Sequence, residues 1–201
     1  MSHLIGKLAP FFKATAVVRQ EFKDVSLDQG HFILLFFYPM DFTSVCASEI
    51  VAVSEHLEDF EKRDCKVFAV SCDSHFTHLA WTKKLVEENG LVDVNLPLLA
   101  DKSGKIARDY GVYNDEQGVS SRAFFLIDKQ QIVRDLSIND RPVGRSVEEL
   151  LCLIDTLRSE NRNGVDETES EKRGLKRPLV SEDKDSAPVK ASKTSEAATI
   201  S

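Results

Sequence analysis

The chain alternates between two hydrophobic periods, and this alternation predicts a sheet that is covered by helices. Residues 31–38 are almost continuously apolar and lead into Pro39, a pattern typical of a buried strand that ends in a turn. Residues 66–71 repeat this pattern, and between the two segments apolar side chains recur at helical spacing over residues 45–62. A strand, a helix and a second strand in this order predict parallel neighbours in an α/β fold.

Further along the chain the same reasoning predicts another helix and a pair of strands. Residues 75–89 are expected to form a helix that ends before Gly90, and residues 96–99 form a short apolar segment after a loop. Residues 122–128 and 131–138 are predicted to be two strands joined by a turn. These elements are enough to build one domain of ordinary size.

The last predicted helix begins after Ser146, which has Glu149 three positions later in the capping-box arrangement. After about Ser159 the sequence is rich in charge, Ser and Thr and contains no aromatic residue. A segment of this composition has too little apolar surface to offset the entropy of the chain. We therefore expect one domain over residues 1–159 and a disordered tail over residues 160–201.

The charge and the hydropathy limit the partners and the location. A formal net charge of −7 disfavours nucleic acid and anionic membranes, which carry the same sign of charge. The chain has neither an apolar run of the roughly 20 residues that span a bilayer nor a long apolar signal core, so a cytoplasmic protein is expected. Basic pairs at residues 172–173 and 176–177 resemble a nuclear-import signal, although solvated charge is the favoured interpretation.

Cys46 is the first candidate for chemistry. The four cysteines, Cys46, Cys65, Cys72 and Cys152, contain no Cys-x-x-Cys pair, so redox chemistry has to start from a single thiol. Cys46 follows a predicted strand and opens a predicted helix, where free backbone N–H groups and the helix dipole favour a thiolate. The alternative is a free cysteine packed as a small apolar side chain, and position alone does not separate the two.

The residues around Cys46 favour a catalytic thiol over a cysteine that only packs in the core. Pro39, Thr43 and Cys46 stand in the string YPMDFTSVC, and this Pro-x-x-x-Thr-x-x-Cys pattern resembles the active-site motif of the peroxiredoxin family. The similarity continues through VSCDSHFTHLAW, LPLLADKSGKIARDYGVY and SSRAFFLIDKQQIVRDLSINDRPVGRSVEELL, so that it covers nearly all of residues 3–158. It implies a thioredoxin-like α/β fold with a central mixed sheet flanked by helices, and it is closest to the typical two-cysteine subgroup.

The resemblance also implies a role for each residue of the motif. Cys46 is expected to be the thiolate that attacks a peroxide, Thr43 to hydrogen-bond the thiolate and the peroxide, and Pro39 to shield the site from water. Arg122, in the string GVSSRAFFLID, matches the family arginine whose guanidinium holds the reacting groups.

Two further residues match supporting positions. Glu49 and Arg145 are similar to the family residues that orient the arginine. For these two residues, and for Arg122 itself, a surface ion pair is the alternative interpretation. The string around Arg122 makes that alternative less favoured there.

The thiol that resolves oxidised Cys46 is not specified by the resemblance. Typical two-cysteine members use a cysteine in a C-terminal Val-Cys-Pro segment, whereas no cysteine follows Cys152 here. The family's Gly-Gly-Leu-Gly loop is replaced around ENGLVDVNLP, and its C-terminal Tyr-Phe helix has no counterpart. Cys72 is an internal candidate, although a core position is favoured for it. The leading expectation is direct reduction of Cys46 by an external thiol.

The predicted function is therefore a thiol-dependent peroxidase for hydrogen peroxide and organic hydroperoxides, with thioredoxin or another thiol as the reductant. No cofactor is expected. Cys72, His75 and His78 have a spacing compatible with zinc, but a structural zinc site normally has four ligands, so no metal is predicted. The resemblance implies a homodimer and leaves a decamer open. The alternative function is a redox-regulated sensor or holdase that turns over weakly.

Overall fold

The computed structural model describes residues 4–139 and 146–162, with side chains described up to residue 159. The strands are β1 (Lys13–Val18), β2 (Glu21–Ser26), β3 (Phe32–Phe37), β4 (Cys65–Ser71), β5 (Leu98–Ala100), β6 (Tyr113–Asn114), β7 (Val119–Ser120), β8 (Arg122–Ile127) and β9 (Val133–Asn139). The α-helices are α1 (Ser44–Glu55), α2 (Leu57–Glu61), α3 (His75–Trp81), α4 (Lys105–Asp109) and α5 (Val147–Arg162).

Seven of these strands form one mixed sheet in the order β2-β1-β5-β4-β3-β8-β9. In the centre, β3 runs parallel to β4, with Phe37 opposite Val70, and antiparallel to β8, with Phe37 opposite Ala123. The carboxyl ends of β3 and β4 and the start of β8 therefore meet at one edge of the sheet. Ligand sites in open α/β sheets lie at this kind of edge.

Alternating side chains of the central strands pack into two cores, one on each face of the sheet. The first core contains Leu34 and Phe36 of β3 together with residues of α1 and α5. The second core contains Leu35 and Phe37 together with residues of α4. All of these side chains are almost completely buried, and removal of their apolar surface from water is the main force that favours folding.

The central elements confirm the predictions from the hydrophobic pattern. The two buried strands, the strand pair and the last helix are all present within a few residues of the expected bounds. The predicted N-cap is also present, because Ser146 Oγ accepts a hydrogen bond from the Glu149 N–H at 3.3 Å. Helices on both faces of a central mixed sheet are the predicted architecture.

Two predicted helices are shorter than expected. The segment 45–62 is divided into α1 and α2 at His56, whose φ of −106° and ψ of 12° leave the helical region. The segment 75–89 forms only α3 and a short 3-10 helix at Val86–Glu88. The chain folds back there because Trp81 Nε1 donates to Asn89 O at 2.6 Å. Gly90 is required at this point, since a Cβ would lie 2.1 Å from Lys84 O.

Candidate active site

Cys46 lies in the first turn of α1 and is completely buried in the first core. The loop between β3 and α1 brings it there. Thr43 is the N-cap of α1, with extended backbone angles, and its carbonyl accepts the Ala47 N–H at 2.9 Å. The unpaired N–H groups and the positive dipole end of this first turn favour negative charge, as a thiolate requires.

The side chain of Thr43 closes the loop that precedes Cys46. Its hydroxyl donates to Met40 O at 3.0 Å and makes no hydrogen bond to the start of the helix. Pro39 is half-buried and directly follows the buried Tyr38. The two motif residues therefore lie on one tight loop beside Cys46, as the spacing of the motif predicts.

Arg122 and Glu49 form an ion pair on the same side of the sheet as Cys46. Arg122 is the first residue of β8, two positions before Phe124, which belongs to the first core. Its Nη1 donates to Glu49 Oε2 at 2.5 Å, and the two side chains are only 17% and 11% exposed. Glu49 follows Cys46 by three residues and shares its side of α1. The structure thus brings Cys46, Glu49 and Arg122 to one side of the sheet edge, whereas Arg145 lies outside the described residues.

A buried hydrogen-bond network fixes the loop between β3 and α1, and the sequence did not predict this network. Tyr38 Oη donates to Asp41 Oδ1 at 2.8 Å, and Asp41 Oδ2 lies 2.8 Å from His78 Nδ1. His78 Nε2 lies 3.2 Å from Leu99 O. Because a carboxylate and a carbonyl oxygen are both acceptors, all three contacts are satisfied only when the Asp41–His78 pair holds one proton more than a carboxylate beside a neutral imidazole.

Burial determines the proton affinities in this network. It raises the pKa of the Asp41 carboxyl, while the hydrogen bond and the charge of His78 oppose this shift. It also raises the pKa of Tyr38 well above its ordinary value, so the phenol stays a neutral donor. Asp73 connects the loop to the end of β4, since its Oδ2 accepts from Asp41 N–H at 3.0 Å and from the Ser71 hydroxyl at 2.9 Å. The sequence contained one indication of this network, because Asp41 lies inside the Pro-x-x-x-Thr-x-x-Cys motif. Its partner, His78, is 37 residues away and could not be identified from the sequence.

The structure does not bring Cys72 next to Cys46. Cys72 follows β4, is half-buried and packs against the second core, on the opposite face from Cys46. Burial, followed by the charges of Asp101 and Asp73, raises the pKa of Cys72 to about 11. A thiol of this kind is mostly protonated at neutral pH and is a poor nucleophile.

The remaining cysteines lie elsewhere. Cys65 is buried at the start of β4, where desolvation raises its pKa to about 12, and Cys152 is exposed on α5. Across the described ranges 4–139 and 146–162, no three His, Cys, Asp or Glu side chains are grouped as metal ligands. Of the three residues with a spacing compatible with zinc, Cys72, His75 and His78, the last has both ring nitrogens within hydrogen-bond distance of other groups, Asp41 and Leu99 O.

The chain is similar to known proteins over most of its length. The sequence profile of the AhpC/TSA family matches residues 5–136. Peroxiredoxin-2 of Pongo abelii is 48% identical over 162 residues, which are 80% of this chain and 92% of that protein. Thioredoxin peroxidase of Echinococcus granulosus is 45% identical over 166 residues, which are 82% of this chain and 86% of that protein.

Solved structures show the same similarity. The reduced 2-Cys peroxiredoxin of Plasmodium vivax superimposes with a TM-score of 0.77 at 42% identity, over 80% of this chain and 85% of that one. AhpC of Enterococcus faecalis gives a TM-score of 0.74 at 33% identity, over 80% of this chain and 96% of that one. The predicted thioredoxin-like fold is thereby confirmed. In the part of the chain that the structure describes, no helix is long and apolar enough to cross a membrane.

Proposed function

Because the chain belongs to the AhpC/TSA family of peroxiredoxins, we propose that Cys46 is the residue through which it reduces peroxides. The protein is a thiol-dependent peroxidase, as relatives named peroxiredoxin and thioredoxin peroxidase at 45–49% identity indicate. The observation that supports Cys46 is its position in the first turn of α1, on the same side of the sheet as the Arg122–Glu49 ion pair. The other three cysteines lack such surroundings.

The proposed reaction begins with the Cys46 thiolate. Its sulfur donates an electron pair to one oxygen of the peroxide while the O–O bond breaks. The sulfur is oxidised to a sulfenic acid, and the other oxygen leaves with the bonding electrons and takes up a proton to form water or an alcohol. Negative charge therefore develops on the leaving oxygen, and fixed donors that face it lower the barrier.

Arg122 is proposed to supply these donors. Its guanidinium is always charged and has five N–H groups in a fixed plane. Glu49 holds one of them, at Nη1, which fixes the orientation of the plane and leaves other N–H groups for the sulfur and the peroxide. We expect Thr43 to offer its hydroxyl to the same atoms after it leaves Met40 O, and Pro39 to limit access of water.

Regeneration of Cys46 is proposed to use an external thiol. A thiol attacks the sulfenic sulfur, a disulfide forms and water is released, and a second thiol then reduces the disulfide. Cys72 is disfavoured as the internal partner because it packs on the opposite face of the sheet and has a raised pKa. Thioredoxin is the expected donor, since one of the relatives is named thioredoxin peroxidase.

We also propose that the protein forms a homodimer, and a decamer remains an expectation. β9 is the last strand of the sheet, and its outer edge has no strand neighbour among the described residues. Open edges of this kind pair readily with a second copy. Light scattering after size-exclusion chromatography tests this proposal, and a mass equal to the 22.5 kDa chain at micromolar concentration would contradict it.

The decisive experiment on the activity measures steady-state peroxide consumption by the wild type and by Cys46→Ser. Thioredoxin with its reductase, glutathione and dithiothreitol are supplied in turn. We expect many turnovers with at least one donor and none with Cys46→Ser. A single Cys46-dependent oxidation with every donor would support the sensor or holdase alternative, and turnover by Cys46→Ser would exclude Cys46 as the nucleophile.

A further inference from the structure

The sheet has a notch between β1 and β4. β5, which separates them, is only three residues long, whereas β1 has six residues and β4 has seven. β5 pairs with β4 only from Ala69 to Ser71. The first half of β4 therefore has no strand neighbour on this side within the described ranges. The gap begins next to Ala69, whose N–H donates to Pro97 O at 3.0 Å.

A cavity of about 330 Å³ occupies this notch. Its walls come from both faces of the sheet, because Leu57 and Val67 pack with the first core and Phe68 and Val18 with the second. Pro97 also lines it. The cavity has the size of the smaller ligand sites in proteins, and its mainly apolar walls are typical of such sites.

The charged side chains around the cavity are mostly basic. Arg19, Lys23 and Lys66 line it, and Glu61 is the one acidic residue that does so among the residues described. Lys66 is neutralised by Asp28 at 2.5 Å. Lys23 has a looser contact, of 3.5 Å, with an exposed glutamate, and Arg19 has no hydrogen bond or ion pair with any residue that the structure describes. Of the three cations that line the cavity, Arg19 is therefore the one without an ion-pair partner among the described residues.

The backbone of Arg19 is unusual. Arg19 and Gln20 form the two-residue turn between β1 and β2, with φ values of 51° and 63°. Hairpin turns with two positive φ angles strongly favour Asn-Gly or similar pairs, because other residues are strained there. Asparagine or glycine at position 19 would relieve the strain but remove the cation. This conflict between local conformation and residue type is the kind that functional positions show.

We propose that the notch is a binding site for a small amphiphilic carboxylate. The carboxylate group lies against Arg19 and Lys23, and the hydrocarbon part fills the space between Leu57, Val67 and Phe68. The cavity is at the start of β4, whereas Cys46 lies near the strand's carboxyl end. This site is therefore separate from the peroxidase site, and the proposal does not depend on the proposed roles of Cys46 or Arg122.

The test is calorimetric titration of the full chain with decanoate, well below the concentration at which decanoate forms micelles. Decanol, which has the same chain without the charge, is the ligand control. Arg19→Glu and Arg19→Gly are the informative variants, and glycine at a positive φ is expected to fold at least as well as the wild type. Lys102→Glu is the matched protein control, because Lys102 is exposed and does not line the cavity. Its replacement reverses one positive charge, as Arg19→Glu does.

We expect one decanoate per chain, with affinity weakened about threefold in Arg19→Gly and about tenfold in Arg19→Glu, as loss and reversal of one partly exposed ion pair imply. Lys102→Glu should bind like the wild type, and decanol should bind more weakly than decanoate. Amide shifts in NMR spectra should centre on Val18, Val67 and Phe68. Absence of saturable binding, equal binding by the Arg19 variants, or many ligands per chain would overturn the proposal.

Discussion

Arg122 is held by a carboxylate of the same helix that contains Cys46, and this arrangement predicts the effect of replacing it. In Arg122→Gln the charge that is proposed to face the leaving oxygen is lost, and the buried Glu49 loses this ion-pair partner. Removal of one fixed donor from such a site costs about 10²- to 10³-fold in rate. We therefore expect the second-order rate constant of Cys46 with hydrogen peroxide to fall by about 10²-fold or more, as measured by stopped-flow fluorescence.

The matched control for this variant is Arg108→Gln. Arg108 is an exposed arginine that stacks on the ring of Tyr113, away from Cys46, so its loss should leave the rate constant unchanged. Glu49→Gln should give an intermediate loss, because the guanidinium keeps its charge but not its fixed orientation. A wild-type rate in Arg122→Gln would exclude the proposed role.

The cysteines should differ in reactivity with pH. The pKa of Cys72 is raised to about 11 from an ordinary value of 9.0, chiefly by burial, so about 100-fold less thiolate is present at pH 8. Alkylation of Cys72 by iodoacetamide should therefore be slow at pH 8 and should accelerate up to about pH 11. Mass spectrometry of timed samples measures the rate of alkylation at Cys72, with the exposed Cys152 as the internal reference. Alkylation of Cys72 as fast as that of Cys152 at pH 8 would contradict the assigned burial.

Single residues were predictable from the sequence where a compact motif contains them. Pro39, Thr43 and Cys46 lie within eight positions, so one string identified all three. Asp41 stands in the same string, but its function is visible only through His78, which the fold brings to it across 37 residues. The spacing of His78 is compatible with a zinc ligand, although no metal was predicted. A sequence does not show which ring nitrogens are already engaged.

Among the elements, the loop between β3 and α1 depends on Asp41. In Asp41→Ala, the Tyr38 hydroxyl and His78 Nδ1 lose their buried partner, which should lower the free energy of unfolding by about 3 kcal/mol. Asp41→Asn should cost much less, because the amide can donate to the Nδ1 of a neutral imidazole while its oxygen still accepts from Tyr38. Urea denaturation of both variants measures the difference. Equal losses would contradict this expectation, because they would show that the network requires the charge of the carboxylate, which the amide lacks.

A second junction joins three elements and predicts a pH dependence. Asp64, before β4, accepts from Lys129, after β8, and lies 2.6 Å from the Nδ1 of His31, before β3. These hydrogen bonds lower the pKa of Asp64 below its ordinary value of 3.8. A lowered pKa contributes stability above the pKa of the unfolded carboxyl, and this contribution is lost as the pH falls through the folded value.

Asp64→Asn is the variant that isolates this contribution. Asn tolerates the φ of 58° at position 64, so the backbone should be undisturbed. The carboxylate is 41% exposed, and solvent screening limits the expected loss to about 0.5–1 kcal/mol at pH 7. The difference from the wild type should shrink as the pH falls through the folded pKa of Asp64, as urea titrations at neutral and at low pH would show. A difference that persists at low pH would point to the backbone instead.

The elements that the sequence predicted well are those with long apolar runs. β3 and β4 are buried on both faces, so their composition alone indicates central strands. β1 and β2 were not predicted, because β2 is largely exposed and β1 has only two fully buried residues, Ala16 and Val17. Their turn, Arg19–Gln20, also contains none of the usual turn residues. The early end of α3 was also not predictable, because tertiary hydrogen bonds to Trp81 cause it.

At the scale of the whole domain, the four thiols lie in different places of the fold. Cys46 and Cys65 both pack in the first core, but they lie near opposite ends of the parallel strands, since Cys46 follows β3 and Cys65 begins β4. Cys72 packs with the second core, and Cys152 is exposed on α5. A disulfide requires Cα atoms within about 7 Å. A bond from Cys46 to Cys65, at the opposite end of the sheet, or to Cys72, on the opposite face, would therefore need local unfolding.

This separation predicts that Cys46 alone supports turnover. A variant with Cys65→Ala, Cys72→Ala and Cys152→Ser keeps Cys46 as its one thiol, and it should consume peroxide at a rate close to that of the wild type with the donor that the wild type uses. Alanine is chosen for Cys65 and Cys72 because both pack in the cores and a buried hydroxyl without a partner would destabilise them. Turnover is followed by donor oxidation, and mass spectrometry of the oxidised protein should find Cys46 joined only to the external thiol. If the variant stops after one oxidation while the wild type continues, one of the three removed thiols resolves Cys46, and single replacements would identify it.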